Sequence, residues 1–153
     1  MKMAIGTTAV AASLALALTW GQAAYSDDAE TSSRFTFVVE GNKVDASTKM
    51  GWEVYTGTCM ACHGPDGAGS SFAPSLMRAA ERRSFDDFAR TIAEGLSIRP
   101  GMVMPSFADD PRVMSHLKDI WNYLGARTEG GLPRGRPRLM DEYANVQEAE
   151  EAD

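Results

Sequence analysis

The chain has 153 residues, 24% of them charged and 44% hydrophobic, with a formal net charge of −6. That is room for one domain, and an acidic chain of this kind is repelled by nucleic-acid phosphates, which excludes nucleic acid as a partner. Both cysteines and one of the two histidines fall within Cys59–His63, so thiol chemistry is confined to one place.

In chain order, residues 1–23 read as a signal peptide. Lys2 supplies a positive start, Ala4 to Thr19 an apolar stretch, and Gly21-Gln22-Ala23 small residues for cleavage. The apolar stretch is shorter than the roughly 20 residues of a spanning helix, so a membrane association is expected only if this segment is retained as an anchor. Residues 24–46 read as a polar leader followed by a short hairpin. Phe35 to Val39 form a β-rich run, Glu40-Gly41-Asn42 a turn signal, and Lys43-Val44 the return strand that covers one flank of the domain.

Residues 47–127 read as the main domain, mainly α, with three main helices. The first is expected over Ser47 to Thr58, capped by Asp45 or Ser47, with Gly51 and Tyr55 on one face. It leads into Cys59-Met60-Ala61-Cys62-His63. Two thiols three positions apart can each add across a vinyl group of one porphyrin, and the imidazole that follows then lies under the iron. Cys59 and Cys62 are thus the candidate thioether positions and His63 the candidate axial ligand of one covalent haem c. Zinc would need further ligands at usual spacing, a thioredoxin-like pair would sit near a βαβ pattern, and a plain disulfide leaves His63 without a role.

After the motif, a backbone carbonyl near Pro74 is expected to accept the His63 ring N–H and fix its tautomer, with Leu76 packing on the ring edge. Ser84, with Asp87 three residues on, opens a second helix whose Phe85, Phe88 and Ile92 form a core stripe ending at Gly95; with Phe72, Leu76 and Phe107, Phe85 and Phe88 are also expected to keep water off the porphyrin. Between it and the third helix lies a Pro- and Gly-containing loop, Arg99 to Phe107. Such a loop can hold an extended path across the far face of a haem, which makes Met104 the candidate second axial ligand, Met102 the alternative and Phe107 a pocket residue. His116 is expected to be a solvated side chain. The third helix is expected over Pro111 to Arg127, with Val113, Leu117, Ile120 and Leu124 on one side, packed across the first. Residues 128–153 read as an irregular tail, basic through Arg134, Arg136 and Arg138 and acidic at its end. Of the two halves, the Arg-Gly-Arg-Pro-Arg segment is expected to be the ordered one.

First helix, Cys-x-x-Cys-His, Pro loop, second helix, Met-Pro loop and third helix, in that order, resemble a class I c-type cytochrome between Ser47 and Arg127. Further stretches, Cys62-His63-Gly64-Pro65-Asp66-Gly67, Gly69 to Leu76, Val103-Met104-Pro105-Ser106-Phe107 and Arg134-Gly135-Arg136-Pro137, are similar to the methanol-metabolism-related cytochromes. That resemblance implies a periplasmic carrier that takes single electrons from a PQQ-dependent alcohol dehydrogenase and passes them to a further cytochrome or terminal oxidase. It implies the haem positions at Cys59, Cys62, His63 and Met104, and an electron carrier in place of an enzyme. Two other readings remain: a haem subunit fixed in a larger respiratory complex, and an open-site haem enzyme or gas-binding protein, in which both loop methionines would miss the iron.

Overall fold

The computed structural model describes residues 34–143; the expected signal peptide, most of the leader and the acidic end from Gln147 lie outside them. Asp45 opens the first helix. It is held extended while its carboxylate accepts from Thr48 N at 2.9 Å, so α1 runs Ala46–Val54, and Asp45, not Ser47, is the cap. The same carboxylate accepts from Val38 N at 2.7 Å, which ties the helix start to an antiparallel hairpin of β1 (Val39–Glu40) and β2 (Lys43–Val44). The first strand is shorter than expected. Phe35 leaves the sheet because its ring is buried on Trp121, centroids 4.7 Å apart, over Gly125, where a Cβ would lie 2.2 Å from Phe35 Cγ.

The first helix does not stop at Thr58. One wide π turn over Tyr55–Cys59 carries it into α2, Met60–His63, and Gly64 at φ +74° ends it. The helical rise therefore runs through both cysteines to the histidine.

A helix absent from the expected order follows. Ser75 is extended and its hydroxyl accepts from Arg78 N, which starts α3 over Leu76–Arg82. Next, α4 occupies Phe85–Glu94, capped by Ser84 through Asp87 N at 3.1 Å and ended by Gly95, as the residues predict. The Met-containing loop is extended, and more ordered than a loop: β3 (Leu96–Arg99) and β4 (Met102–Met104) pair antiparallel about Gly101, which sits at φ +81°. The expected third helix is broken in two, α5 (Pro111–Ser115) and α6 (Leu117–Thr128). His116 takes φ −114° and ψ 20° between them, its Nδ1 lies 2.7 Å from Asp119 Oδ2, and the ring is half-buried instead of solvated.

Trp121 anchors the core. Phe35, Phe85 and Phe88 all pack on its ring, and its Nε1 donates to Arg34 O at 2.7 Å. Burial of aromatic side chains of this size is worth on the order of 2 to 3 kcal/mol each. Across the core α6 crosses α1, as the periodicity predicts. The basic half of the tail joins the same body: β5 (Arg138–Leu139) pairs parallel with β2, and Leu132, Pro137 and Met140 are buried. No helix among the described residues is long and apolar enough to cross a membrane.

Candidate functional site

The π turn and α2 present Cys59, Cys62 and His63 to one cavity of about 240 Å³, open on one side. Pro74 and Leu76 line it from the segment entering α3. Met102, Met104 and Phe107 line it from the β3–β4 hairpin and the turn beyond. Cys59, Cys62, His63, Pro74, Leu76, Met102, Met104 and Phe107 thus face one space. No disulfide joins Cys59 to Cys62. Burial pushes the Cys59 thiol up to about 11, with the Cys62 charge adding to it, so before attachment it is protonated at neutral pH.

His63 is buried, and its Nδ1 lies 2.9 Å from Pro74 O. A carbonyl can only accept, so Nδ1 carries the proton and Nε2 keeps a lone pair. The turn that follows is held on all sides. Tyr55 Oη donates to Gly64 O and accepts from Gly67 N at 2.9 Å, Gly69 N donates to His63 O at 2.7 Å, and Ser75 Oγ donates to Gly67 O at 3.1 Å. Asp66, in the left-handed region at φ +57°, accepts from Arg134 Nε at 3.1 Å and Gly135 N at 3.0 Å. The imidazole is thereby fixed through its backbone and its ring.

Met104 and Met102 sit on the same strand two residues apart, so both point to one side of it. Met104 packs against the buried core, as Phe107 does. Gly95 makes this possible, because a Cβ there would lie 2.6 Å from Met104 O. Around these donors the cavity wall is apolar and carries no Asp or Glu. Two thiols, an imidazole with a free Nε2 and a thioether in one apolar cavity are a donor set that fits haem c. Among the described residues no three His, Cys, Asp or Glu side chains gather to hold an ion, and His116 is outside the cavity.

The sequence profile described as "Cytochrome C oxidase, cbb3-type, subunit III" matches residues 46–124. The chain belongs to the c-type cytochrome family. The cytochrome is similar to cytochrome c-553I of Paracoccus denitrificans, 36% identical over 117 residues, which are 74% of this chain and 52% of that protein. It thus spans about half the length of that relative. Cytochrome c-555 of Methylococcus capsulatus is 30% identical over 93 residues, 60% of this chain and 72% of that one. The crystal structure of the c-type cytochrome XoxG from Methylobacterium extorquens AM1 matches with 37% identity and a TM-score of 0.65, covering 76% of this chain and 74% of that one. The class I fold and one covalent haem c follow for the cytochrome, and with them the coarse role of electron carrier.

One aromatic expectation needs correction. Phe85, expected among the residues that keep water from the porphyrin, is not in the cavity wall; it packs edge-on to Trp121, with Lys118 Nζ 5.0 Å from its ring centre. Phe88, expected in that same shield, and Ile92, expected as core alone, are buried and both line the cavity. Phe72, Ile98 and Val103 stand on its lip, 73%, 61% and 65% exposed. Ile98, Thr58 and Arg83 belong to no motif; β3, the π turn and the end of α3 bring them to the wall.

Proposed function

We propose that this cytochrome works in the periplasm, taking single electrons from a PQQ-dependent alcohol dehydrogenase of the methanol-oxidising kind and passing them to a further cytochrome or terminal oxidase. The observation that carries the reading is the meeting of Cys59, Cys62, His63 and Met104 in one apolar cavity with no acid–base side chain beyond His63. Bound there, haem c supplies one-electron exchange at its iron. Cys59 and Cys62 would hold it by thioether bonds, and His63 Nε2 and the Met104 sulfur would bind its iron. Pro74 O orients the imidazole, while Phe88, Ile92 and Phe107 exclude water. A wall with no Asp, Glu or second His suits transfer to and from a docked protein, not chemistry on a small substrate.

The choice of donor is supported by the run of motifs shared with methanol-metabolism-related cytochromes and by the likeness to XoxG across three-quarters of both chains. The exported location is supported by the signal-like residues 1–23. The test is stopped-flow reduction of the haem-loaded protein by a purified PQQ alcohol dehydrogenase with its alcohol present. Rapid stoichiometric reduction is expected. No reduction under conditions where the same dehydrogenase reduces another cytochrome overturns the donor assignment.

A further inference from the structure

The cavity has a polar neighbour. Arg83, Thr91 and Leu96 line it and also line a second recess on the surface, completed by Asp87, Arg90 and Glu94. None of that recess comes from the Cys59–His63 segment. The apolar chamber therefore opens, over three shared residues, onto a charged one.

The two arginines there differ in state. Arg90 is paired with Asp87 at 2.5 Å. Arg83 has no carboxylate partner among the described residues, and it is the one Lys or Arg in the cavity wall. Its Nη1 donates to Thr91 Oγ1 at 3.0 Å, and that hydroxyl donates onward to Asp87 O at 2.7 Å. Its backbone is tied at both ends, N to Ala79 O at 3.0 Å and O from Arg34 Nη2 at 2.9 Å. The guanidinium is thus steered to the rim of an otherwise apolar cavity, with donors left over and no anion to meet them.

Haem c brings two carboxylates, its propionates, on the edge of the macrocycle remote from the vinyl groups used by cysteines. With Cys59 and Cys62 taking the vinyl edge, the carboxylate edge is turned away from the segment that bears them. We propose that Arg83, steadied by Thr91, binds a haem propionate through charge-assisted hydrogen bonds at the junction of the two recesses. This assignment rests on haem attachment at Cys59 and Cys62. The pairing joins a forked donor to a planar carboxylate, the geometry in which arginine outperforms lysine. It also sets the charge near the iron, since a neutralised propionate favours the ferric state less than a bare one.

The test is the midpoint potential of the haem-loaded protein measured against pH for the wild type, Arg83→Gln, Arg83→Lys, Thr91→Val and Arg90→Gln. A bound guanidinium keeps the propionate ionised to lower pH. Arg83→Gln is therefore expected to move upward the pH window over which the potential falls, and to lower the potential above that window. Arg83→Lys is expected to return most of the wild-type window, and Arg90→Gln to trace the wild-type curve. Thr91→Val, which removes the hydroxyl at nearly constant volume, is expected to move the window the same way by less, and it reads the contact if Arg83→Gln does not accumulate. An Arg83→Gln curve that overlays the wild type overturns the assignment, as does one displaced equally at every pH with its window unmoved, the signature of a distant charge. Haem that extracts from the wild-type protein into acidified organic solvent refutes the attachment at Cys59 and Cys62 instead, and the two failures are told apart by that control.

Discussion

Gly51 of α1 and Asp119 of α6 meet backbone to backbone: a Cβ on Gly51 would lie 1.9 Å from Asp119 O and 2.9 Å from Ile120 N. The atoms in the way belong to main chain, so no rotamer change relieves the clash. Gly51→Ala must push the two helices apart where Ser47 Oγ also donates to Asp119 Oδ1 at 2.5 Å. We expect a loss of about 3 kcal/mol, the upper part of the range for overpacking, measured as the denaturant midpoint of the haem-loaded protein. A loss below about 1 kcal/mol would show that the crossing relaxes freely.

The two methionines of β4 are separable by spectroscopy. Met104 packs on the core and Met102 does not, so Met104→Ala is expected to abolish the weak red absorption of sulfur-to-iron charge transfer and to let the reduced protein bind CO. Met102→Ala should keep the band. The opposite pattern transfers the ligand to Met102; retention of the band in both variants removes this strand from the coordination sphere.

Asp66 links the turn after His63 to the tail. Its carboxylate accepts from Arg134 and from Gly135 N, while its backbone sits at φ +57°, where Asp and Asn are tolerated better than other side chains. Arg134 is largely exposed, so the ion pair itself contributes little, about 1 kcal/mol or less. Asp66→Ala is expected to cost about 1 to 2 kcal/mol, because Gly135 N loses its acceptor and Ala is less at ease in the left-handed region. Asp66→Asn should cost about half of that or less, since it retains an acceptor and the conformation. Equal losses for Asp66→Ala and Arg134→Ala in chemical denaturation would contradict this ordering.

Alkaline pH should weaken the fold through Tyr55. Burial raises its phenol from 10.0 to about 12, helped by the Asp66 charge and opposed by the Gly67 N–H that its oxygen accepts. Tyr123, whose ring centre is 5.4 Å away, is raised as well, again chiefly by burial. A phenol that holds its proton more tightly folded than unfolded contributes stability fully present below pH 10 and lost as pH rises from there to about 12. The free energy of unfolding, followed by denaturant titration at a series of pH values, is expected to fall across that window, less steeply in Tyr55→Phe. A flat profile would show that these phenols ionise freely in the folded protein.

Local chemistry made some elements legible and left others silent. Asp45 and Ser84 announce their helices because a capping side chain acts on its own next turn, and the spacing in Cys59–His63 is legible because the haem chemistry itself demands it. By contrast, α3 was hidden by its own cap: Ser75 follows Pro74, and the pair reads as loop. The break at His116 is invisible because Val113, Ile120 and Leu124 keep their period across it. The hairpin carrying Met104 has strands of four and three residues around Pro100-Gly101, too short for alternation to show, and pairing is a relation between segments that neither reveals alone. Arg83 reaches the cavity wall from the connection between α3 and α4, held by its bond to Thr91 across eight positions. The residues with covalent or coordinate chemistry were thus readable in one dimension, whereas those that shape the wall needed three.

The parallel pairing of β2 with β5 gives the fold a direction in time. Asn42 O receives Arg138 N at 2.8 Å and Asn42 Oδ1 lies 3.3 Å from Arg138 Nε, across 96 positions of chain. A chain emerging from its N-terminus cannot close that sheet, or bring Arg134 to Asp66, until nearly the last described residue is available. Closing so long a loop is entropically slow compared with forming the local helices. The Cys59–His63 segment is made well before the strand that completes the sheet, which leaves an interval in which its thiols can be reached before the tail locks down.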